Sequence, residues 1–362
     1  NVLGINSSGI TVTGALSVDG GTIKLDGNYP TGVENVALGD TALDSVEAGG
    51  QWNTAVGAKA LTATTTGDAN SGFGRVTLEA NTTGGQNTAI GYAALNANTT
   101  ADNNTAVGYL ALLSNTTGTQ NTAVGSLSLD AVTTGGQNTA IGYGAGTAAT
   151  GDGGTYVGYN AGAAVTTAGL NTVVGSYAFD AATTAGESVA IGYAALTTNT
   201  TGASNTAVGY NALALNTTGA NNVAIGKDAL DSNTTASNNV AIGNDSLQAN
   251  TTGASNVAIG RGTLQTNTTA SNNTAVGDEA LFANTTGAQN VAVGHSSLQQ
   301  NTEGQYNTAI GDFALYSNTT ADYNTAVGKD ALLLNTTGGT NVAVGSLCLD
   351  ANTTGQNNVA VG

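Results

Sequence analysis

Cations are scarce in this chain. Six Lys and Arg stand against 23 Asp and Glu, a formal net charge of −17. Such a surface repels phosphate, which argues against nucleic acid as a partner. The acidic residues are scattered, and their plain role is solubility. Cysteine occurs once (Cys348), histidine once (His295), proline once (Pro30) and methionine not at all. A lone Cys rules out an intrachain disulfide, and its neighbours Leu347 and Leu349 mark a packed thiol rather than a reactive one. No apolar run approaches the ~20 residues of a membrane helix, so no membrane insertion is expected in this segment. No signal peptide is visible. The chain begins at Asn1 and stops inside a repeat at Gly362, and so reads as a piece of a longer polypeptide.

What is present is one short phrase written again and again. Asn-Thr/Val-Ala-Val/Ile-Gly, with small variations, begins at Asn35, Asn53, Asn87, Asn104, Asn121, Asn138, Asn171, Asn205, Asn222, Asn239, Asn256, Asn273, Asn290, Asn307, Asn324, Asn341 and Asn358. Degenerate copies begin at Asn70, Gly154 and Ser188. The step is 17 residues, except 18 from Asn35 to Asn53 and 16 from Asn138 to Gly154. A constant short period means one coil per repeat, each stacked on its neighbours, and a solenoid has no domain-size limit. The expected fold is all-β: a parallel β-solenoid, or β-roll, of about twenty 17-residue coils over 35–362, irregular near 44–53 and 143–162. Residues 1–34 lack the repeat. Gly9 to Asp26 alternates apolar and polar residues around Asp19-Gly20-Gly21, which predicts short strands, an N-terminal cap or an upstream shaft segment.

Numbering one coil from Asn222 (place one) to Asn238 (place seventeen) exposes the columns. Place four is always apolar, and place two is Thr or Val in every copy but one. Side chains two apart on a strand share a face, so places two and four are expected to line the interior. Place five is Gly throughout, as a turn at positive φ or a close backbone approach requires. Place nine is nearly always Leu, which predicts a second short strand or extended segment with its own buried column. Asn-Thr-Thr-Gly or Asn-Thr-Thr-Ala then turns into the next coil, and stacked Asn side chains suit amide ladders. The many Asn-Thr-Thr sequon matches follow from the period and carry little weight as glycosylation sites. Few sizeable apolar side chains per coil make a thin core for 17 ordered residues. A parallel homo-oligomer of three chains, sharing the Leu or Ala column, is the natural remedy.

Place six varies most and is expected to face solvent. It is Tyr at Tyr92, Tyr109, Tyr143, Tyr159, Tyr193 and Tyr210, a candidate ligand-contact column. Such rings stack on sugars, or on one another across coils. His295 falls in the same column and is poorly placed as a base or metal ligand. From Tyr143 to Gly162 the Leu column is lost (Gly146, Gly162), which predicts a weak spot, bend or loop. Gly151-Asp152-Gly153-Gly154 occurs once, whereas calcium-binding repeats need Asp in register over many coils. There is no nucleophile elbow, no Cys/His pair, no phosphate loop and no zinc spacing, so neither an enzyme nor a cofactor is expected.

Asn221-Asn222-Val223-Ala224-Ile225-Gly226 and Glu187-Ser188-Val189-Ala190-Ile191-Gly192 resemble the Asn-Ser-Val-Ala-Ile-Gly repeats of YadA-like heads in trimeric autotransporter adhesins. The longer form, NTAVGYLALLSNTTG, resembles repeats of phage tail fibres and related bacterial surface proteins, and Asn1 to Gly32 resembles the segments that precede them. The resemblance covers essentially the whole chain. It implies left-handed parallel β-rolls in a homotrimer, an extracellular location on a virion tail fibre or cell surface, and a cell-surface glycan or protein receptor. The adhesin repeat is usually shorter, so the second turn here must be larger. The function expected is a structural, adhesive fibre shaft, first of a phage tail fibre, with a bacterial trimeric adhesin or extracellular filament as the alternative. A β-barrel anchor in the flanking sequence would mark the adhesin, a chaperone domain the phage. An ice-binding solenoid and a polysaccharide-degrading tailspike are further alternatives.

Overall fold

The computed structural model describes residues 34–47 and 49–362, so the strands expected before Glu34 lie outside the described residues. Twenty three-residue strands, β1 (Val36–Leu38) to β20 (Val359–Val361), form one parallel sheet in which each strand pairs with the next. The register is one coil per step: Val223, Ala224 and Ile225 face Val240, Ala241 and Ile242. The chain is thus an all-β parallel solenoid with the expected 17-residue spacing. Nineteen steps of about 4.8 Å make a rod on the order of 90 Å long.

The expected interior of the strand is reversed. The middle residue points inward: Ala55, Ala89, Ala106 and Ala224 are fully buried. The Val, Ile and Thr side chains at places two and four point outward, with Ile141 44% exposed. The space explains it. The coil is closed opposite by a buried Leu at place nine (Leu95, Leu112, Leu230), and in these coils the Ala methyl group fills the space between that Leu and the strand. The Leu and Ala columns are therefore already covered within one chain, and no partner is needed to bury them.

The second arm is not a strand. Places five to eight and nine to twelve close as two successive turns: Ala229 N–H donates to Gly226 O at 3.5 Å, and Asn233 N–H to Leu230 O at 3.2 Å. Places seven and nine sit in the left-handed region (Asp228 φ 53°, Leu230 φ 54°). Their amides then alternate in direction, Asp228 N–H to Tyr210 O of the coil before and Leu230 N–H to Ser246 O of the coil after. Left-handed backbone costs a non-Gly residue ~1–2 kcal/mol. Coil-to-coil hydrogen bonds and the buried Leu offset that cost.

Two amide ladders run up the inside. At place one, Asn222 Oδ1 accepts from Asn239 N–H at 3.0 Å, while Asn222 Nδ2 donates to Ala236 O at 2.9 Å. At place twelve, Asn250 Nδ2 donates to Asn233 Oδ1 at 3.0 Å and to Gly253 O at 2.9 Å. The Asn of each of these Asn-Thr-Thr triplets is buried in the fold, so the matches to the glycosylation sequon describe a packed amide. The second ladder lapses where Val132, Ala149, Val165 and Ala182 replace Asn, and Asn115 Oδ1, its last rung before the gap, has no partner.

The stretch from Tyr143 to Gly162 is not a break. Strands β7 (Thr139–Ile141), β8 (Thr155–Val157) and β9 (Thr172–Val174) pair across it in register. Tyr156, 1% exposed, stands at place three where most coils carry Ala (Gly72 and Val173 are the other departures), and its ring fills the room left by two missing Leu side chains. A Cβ on Gly146 would lie 2.9 Å from Tyr156 Cδ2, and one on Gly162 2.6 Å from Cε1. Gly154 replaces the place-one Asn for the same reason, since a Cβ there would lie 2.5 Å from the ring. The Tyr156 hydroxyl hydrogen-bonds with the Asn171 side chain, taking the missing Asn's part in the ladder. Burial pushes the phenol up to about 12, with the Asn171 bond acting the other way.

Candidate functional site

Places five to seven form one long edge of the rod, and the candidate column lies on it. Its side chains leave the coil just after the Gly turn, which keeps them in solvent: Tyr92, Tyr109, Tyr143, Tyr159, Tyr193 and Tyr210 are all exposed. The structure sorts them into two groups. Tyr92 and Tyr109 stack with centroids 5.5 Å apart and planes 16° apart. Tyr143 stacks on Tyr159 at 5.4 Å, and Tyr193 on Tyr210 at 5.4 Å. Tyr177 bridges the second group, edge-on to Tyr159 at 5.3 Å and to Tyr193 at 6.0 Å.

Tyr177 was not in the sequence-derived column because it stands at place seven, beside Ser176 at place six. Places six and seven lean over the same edge, so the two columns should have been read together. A second aromatic pair was also missed. Tyr306 and Tyr323, at place seventeen on the opposite edge, stack at 4.9 Å and 3°.

Beyond Tyr210 the edge becomes charged. Lys227 pairs with Asp228 at 3.0 Å, and Arg261 with Asp278 at 2.9 Å and Glu279 at 3.0 Å. His295 Nδ1 lies 3.0 Å from Asp312 Oδ1, with its ring edge-on to Phe313. Pairs this exposed are screened by solvent and add little to stability. Among the described residues, no group of three His, Cys, Asp or Glu side chains converges as a metal site. Asp152, in the Gly-rich stretch, accepts from Gly136 N–H at 2.7 Å. Cys348 is buried, while its neighbour Leu347 is exposed.

A shallow cleft of about 370 Å³ opens among Phe313, Tyr316, Ser317, Asp330, Leu333 and Leu334. Asp330 is its only ionisable carboxylate, 3.9 Å from Lys329 Nζ. The cleft therefore lacks the paired carboxylates that glycoside hydrolysis needs.

One carboxylate carries a local cost. Asp130 Oδ1 is buried without a partner. Burial raises the Asp130 carboxyl above its ordinary range, against hydrogen bonds from its own N–H and that of Ala131. A raised folded-state value means the folded chain holds that proton more tightly than the unfolded one. Its contribution to stability is then greatest in acid and falls as pH climbs from the unfolded value of 3.8 through the raised one. Asp130→Asn is expected to raise the urea midpoint at pH 7 modestly and to leave it unchanged at pH 3. Equal midpoints at pH 7 would contradict this.

No protein-family model matches the chain, and no curated protein matches it.

Proposed function

We propose that the chain is the shaft of an adhesive fibre: a homotrimer of parallel solenoids, left-handed like the repeats it resembles, serving in a phage tail fibre that carries a receptor-binding tip to a cell surface. The bacterial trimeric surface adhesin is the same rod with another owner. The observation that supports this reading is the outward column of Val and Ile. Ile90, Ile141, Ile191, Ile225, Ile259 and Ile310 are all exposed on one sheet face. With Val at place two in many coils, they make an apolar strip running the length of the rod. Soluble monomers rarely expose more than a few hundred Å² of contiguous apolar surface. Matching strips from copies of the same chain cover one another coil by coil, because all share one period.

The mass of the native particle, with electron microscopy of the same sample, tests this directly. Three chains in a straight rod are expected, and a stable single chain would end the trimer reading. The double variant Ile225→Lys/Ile259→Lys places charge on the strip without touching the coil interior. It is expected to reduce the particle to one chain while the far-ultraviolet circular dichroism stays the same. An unchanged mass would move the interface elsewhere.

A specific observation favours a second reading of the same face. Thr88, Thr105, Thr122, Thr139, Thr155 and Thr172 stand on six successive strands, β4 (Thr88–Ile90) to β9, each with Val or Ile two residues on, all outward. A regular array of hydroxyl and methyl groups suits ordered water, as on an ice-binding surface. Val223, Val240 and Val257 interrupt the Thr column further on. Thermal hysteresis in the monodisperse protein would establish this reading, and its absence would dismiss it.

A further inference from the structure

On the aromatic edge almost every ring face is occupied. Arg75 lies over Tyr92, its guanidinium carbon 5.8 Å from the ring centroid, and Tyr92 covers one face of Tyr109. At the far end, the coil after Tyr210 carries Lys227 at place six. The column lacks a place-six ring on two coils within this run, at Ser126 and Ser176. The second opening is closed by Tyr177, which leans in from place seven and meets the rings on both sides. The first has Leu127 at place seven, half-buried and with no ring to offer. Tyr109 (53% exposed) and Tyr143 (48% exposed) therefore face each other across Ser126, each without an aromatic partner on that side.

We propose that Tyr109, Ser126 and Tyr143 form a notch that clamps one pyranose ring of a glycan between two aromatic faces. Two solenoid steps put the flanking rings roughly 10 Å apart. A guest ring midway then lies ~5 Å from each, within the ~4.5–7 Å range of ring-on-ring contact. A sandwich also needs an apolar face on both sides of the guest. An all-equatorial pyranose supplies it, because its hydroxyls point sideways and its axial C–H bonds point to both faces. An axial hydroxyl would press a polar group against one Tyr. The geometry therefore selects a β-gluco-configured ring, with Leu127 as an apolar floor and Ser126 Oγ beside the equatorial oxygens. One such site per chain is weak, and several chains in parallel raise its avidity.

The notch deepens the adhesive reading and rests on it for the biological supply of glycan. A particle mass of one chain would remove that reading and leave the binding assay intact. Saturation-transfer difference NMR on the full chain, with methyl β-D-glucopyranoside and methyl β-D-galactopyranoside as probes, tests the notch. Saturation of the glucoside ring protons is expected, with at least a threefold weaker effect for the galactoside. Ser126→Tyr completes the column with the residue found in the coils on either side. It is expected to keep the fold and reduce saturation of the glucoside at least fivefold. Tyr109→Ala should do the same by removing one wall, while Tyr193→Ala, in the filled part of the edge, should leave binding as it is. The proposal is overturned by equal saturation of the two probes, by full binding to Ser126→Tyr, or by no transfer to the glucoside.

Discussion

Tyr156→Ala is expected to destabilise the rod by about 3–5 kcal/mol, the usual cost of removing a large aromatic side chain from a packed interior. The ring does the work of two Leu side chains, so its loss opens a cavity across adjacent coils, with Gly146 on one side and Gly162 on the other. The backbone cannot close over it, because the strands above and below are held in register. Tyr156→Phe should cost only about 1 kcal/mol, since it keeps the volume and removes one hydrogen bond to the Asn171 side chain, which keeps its bonds to Ala185 O and Ser188 N–H. The compensated variant separates volume from position. Gly146 and Gly162 have φ of +60° and +63°, matching Leu129 at +49° at the same place. Gly146→Leu/Gly162→Leu together with Tyr156→Ala rebuilds an ordinary pair of coils and is expected to recover most of the loss. Urea denaturation of the four proteins checks this. A compensated variant no more stable than Tyr156→Ala would mean that the ring does not stand in for the Leu column.

Gly226→Ala is expected to cost about 4 kcal/mol or more, placing it among the most damaging methyl additions available. Its φ is +135°, where only Gly is at ease. A Cβ there would sit 2.5 Å from Gly243 O and 2.7 Å from Gly243 C, and both are backbone atoms. The neighbour cannot retreat. Gly243 N–H donates to Ile225 O at 2.8 Å, and Gly226 N–H donates to Val208 O at 2.8 Å, so moving one coil breaks bonds on both sides. Gly262→Ala is the control. Its φ is +60°, and the nearest atom to its Cβ would be 3.6 Å away. Place seven carries Ala elsewhere (Ala93, Ala194), so a cost of about 1 kcal/mol is expected there. Stability in a solenoid is a sum of coil and interface contributions, so damage at Gly226 should remain local. Hydrogen exchange should rise around 209–260 and stay slow around 87–124. Uniform protection would show that the close approach is relieved without separating the coils.

Much of this architecture was legible in the sequence, because a period of 17 fixes which residues stack. The Gly column, the buried Leu column, the Asn ladders and the exposed Tyr edge all follow from the repeat. The side of the strand that faces inward did not. In Thr-Ala-Val the alternation permits either Ala or the Thr/Val pair inside, and a preference for large apolar groups selects the pair. The interior is decided instead by thickness: with Leu already at its centre, Ala is what fits in most coils, Val173 being the exception, and the Val and Ile of places two and four are left outside. Tyr156 was legible in principle. Two coils lose Leu where one Ala becomes Tyr, and adding volumes across neighbouring coils, rather than reading each column alone, would have linked them. Tyr177 escaped for a related reason, since places six and seven serve one edge but were counted as separate columns. Asp130 left no trace, because its lack of a partner depends on packing that no spacing rule conveys.

The hydrogen bonds that join coil to coil lie along the rod axis, and this sets how the rod bears load. Tension applied at its two ends does not shear a whole set of these bonds at once. It loads the interfaces in series, and the outermost coil peels away while the rest remain whole. Each coil released exchanges about 5 Å of rod for 17 residues of extended chain, a gain of roughly 50 Å. A single rod would therefore lengthen in even steps under a steady pull and dissipate work at each one.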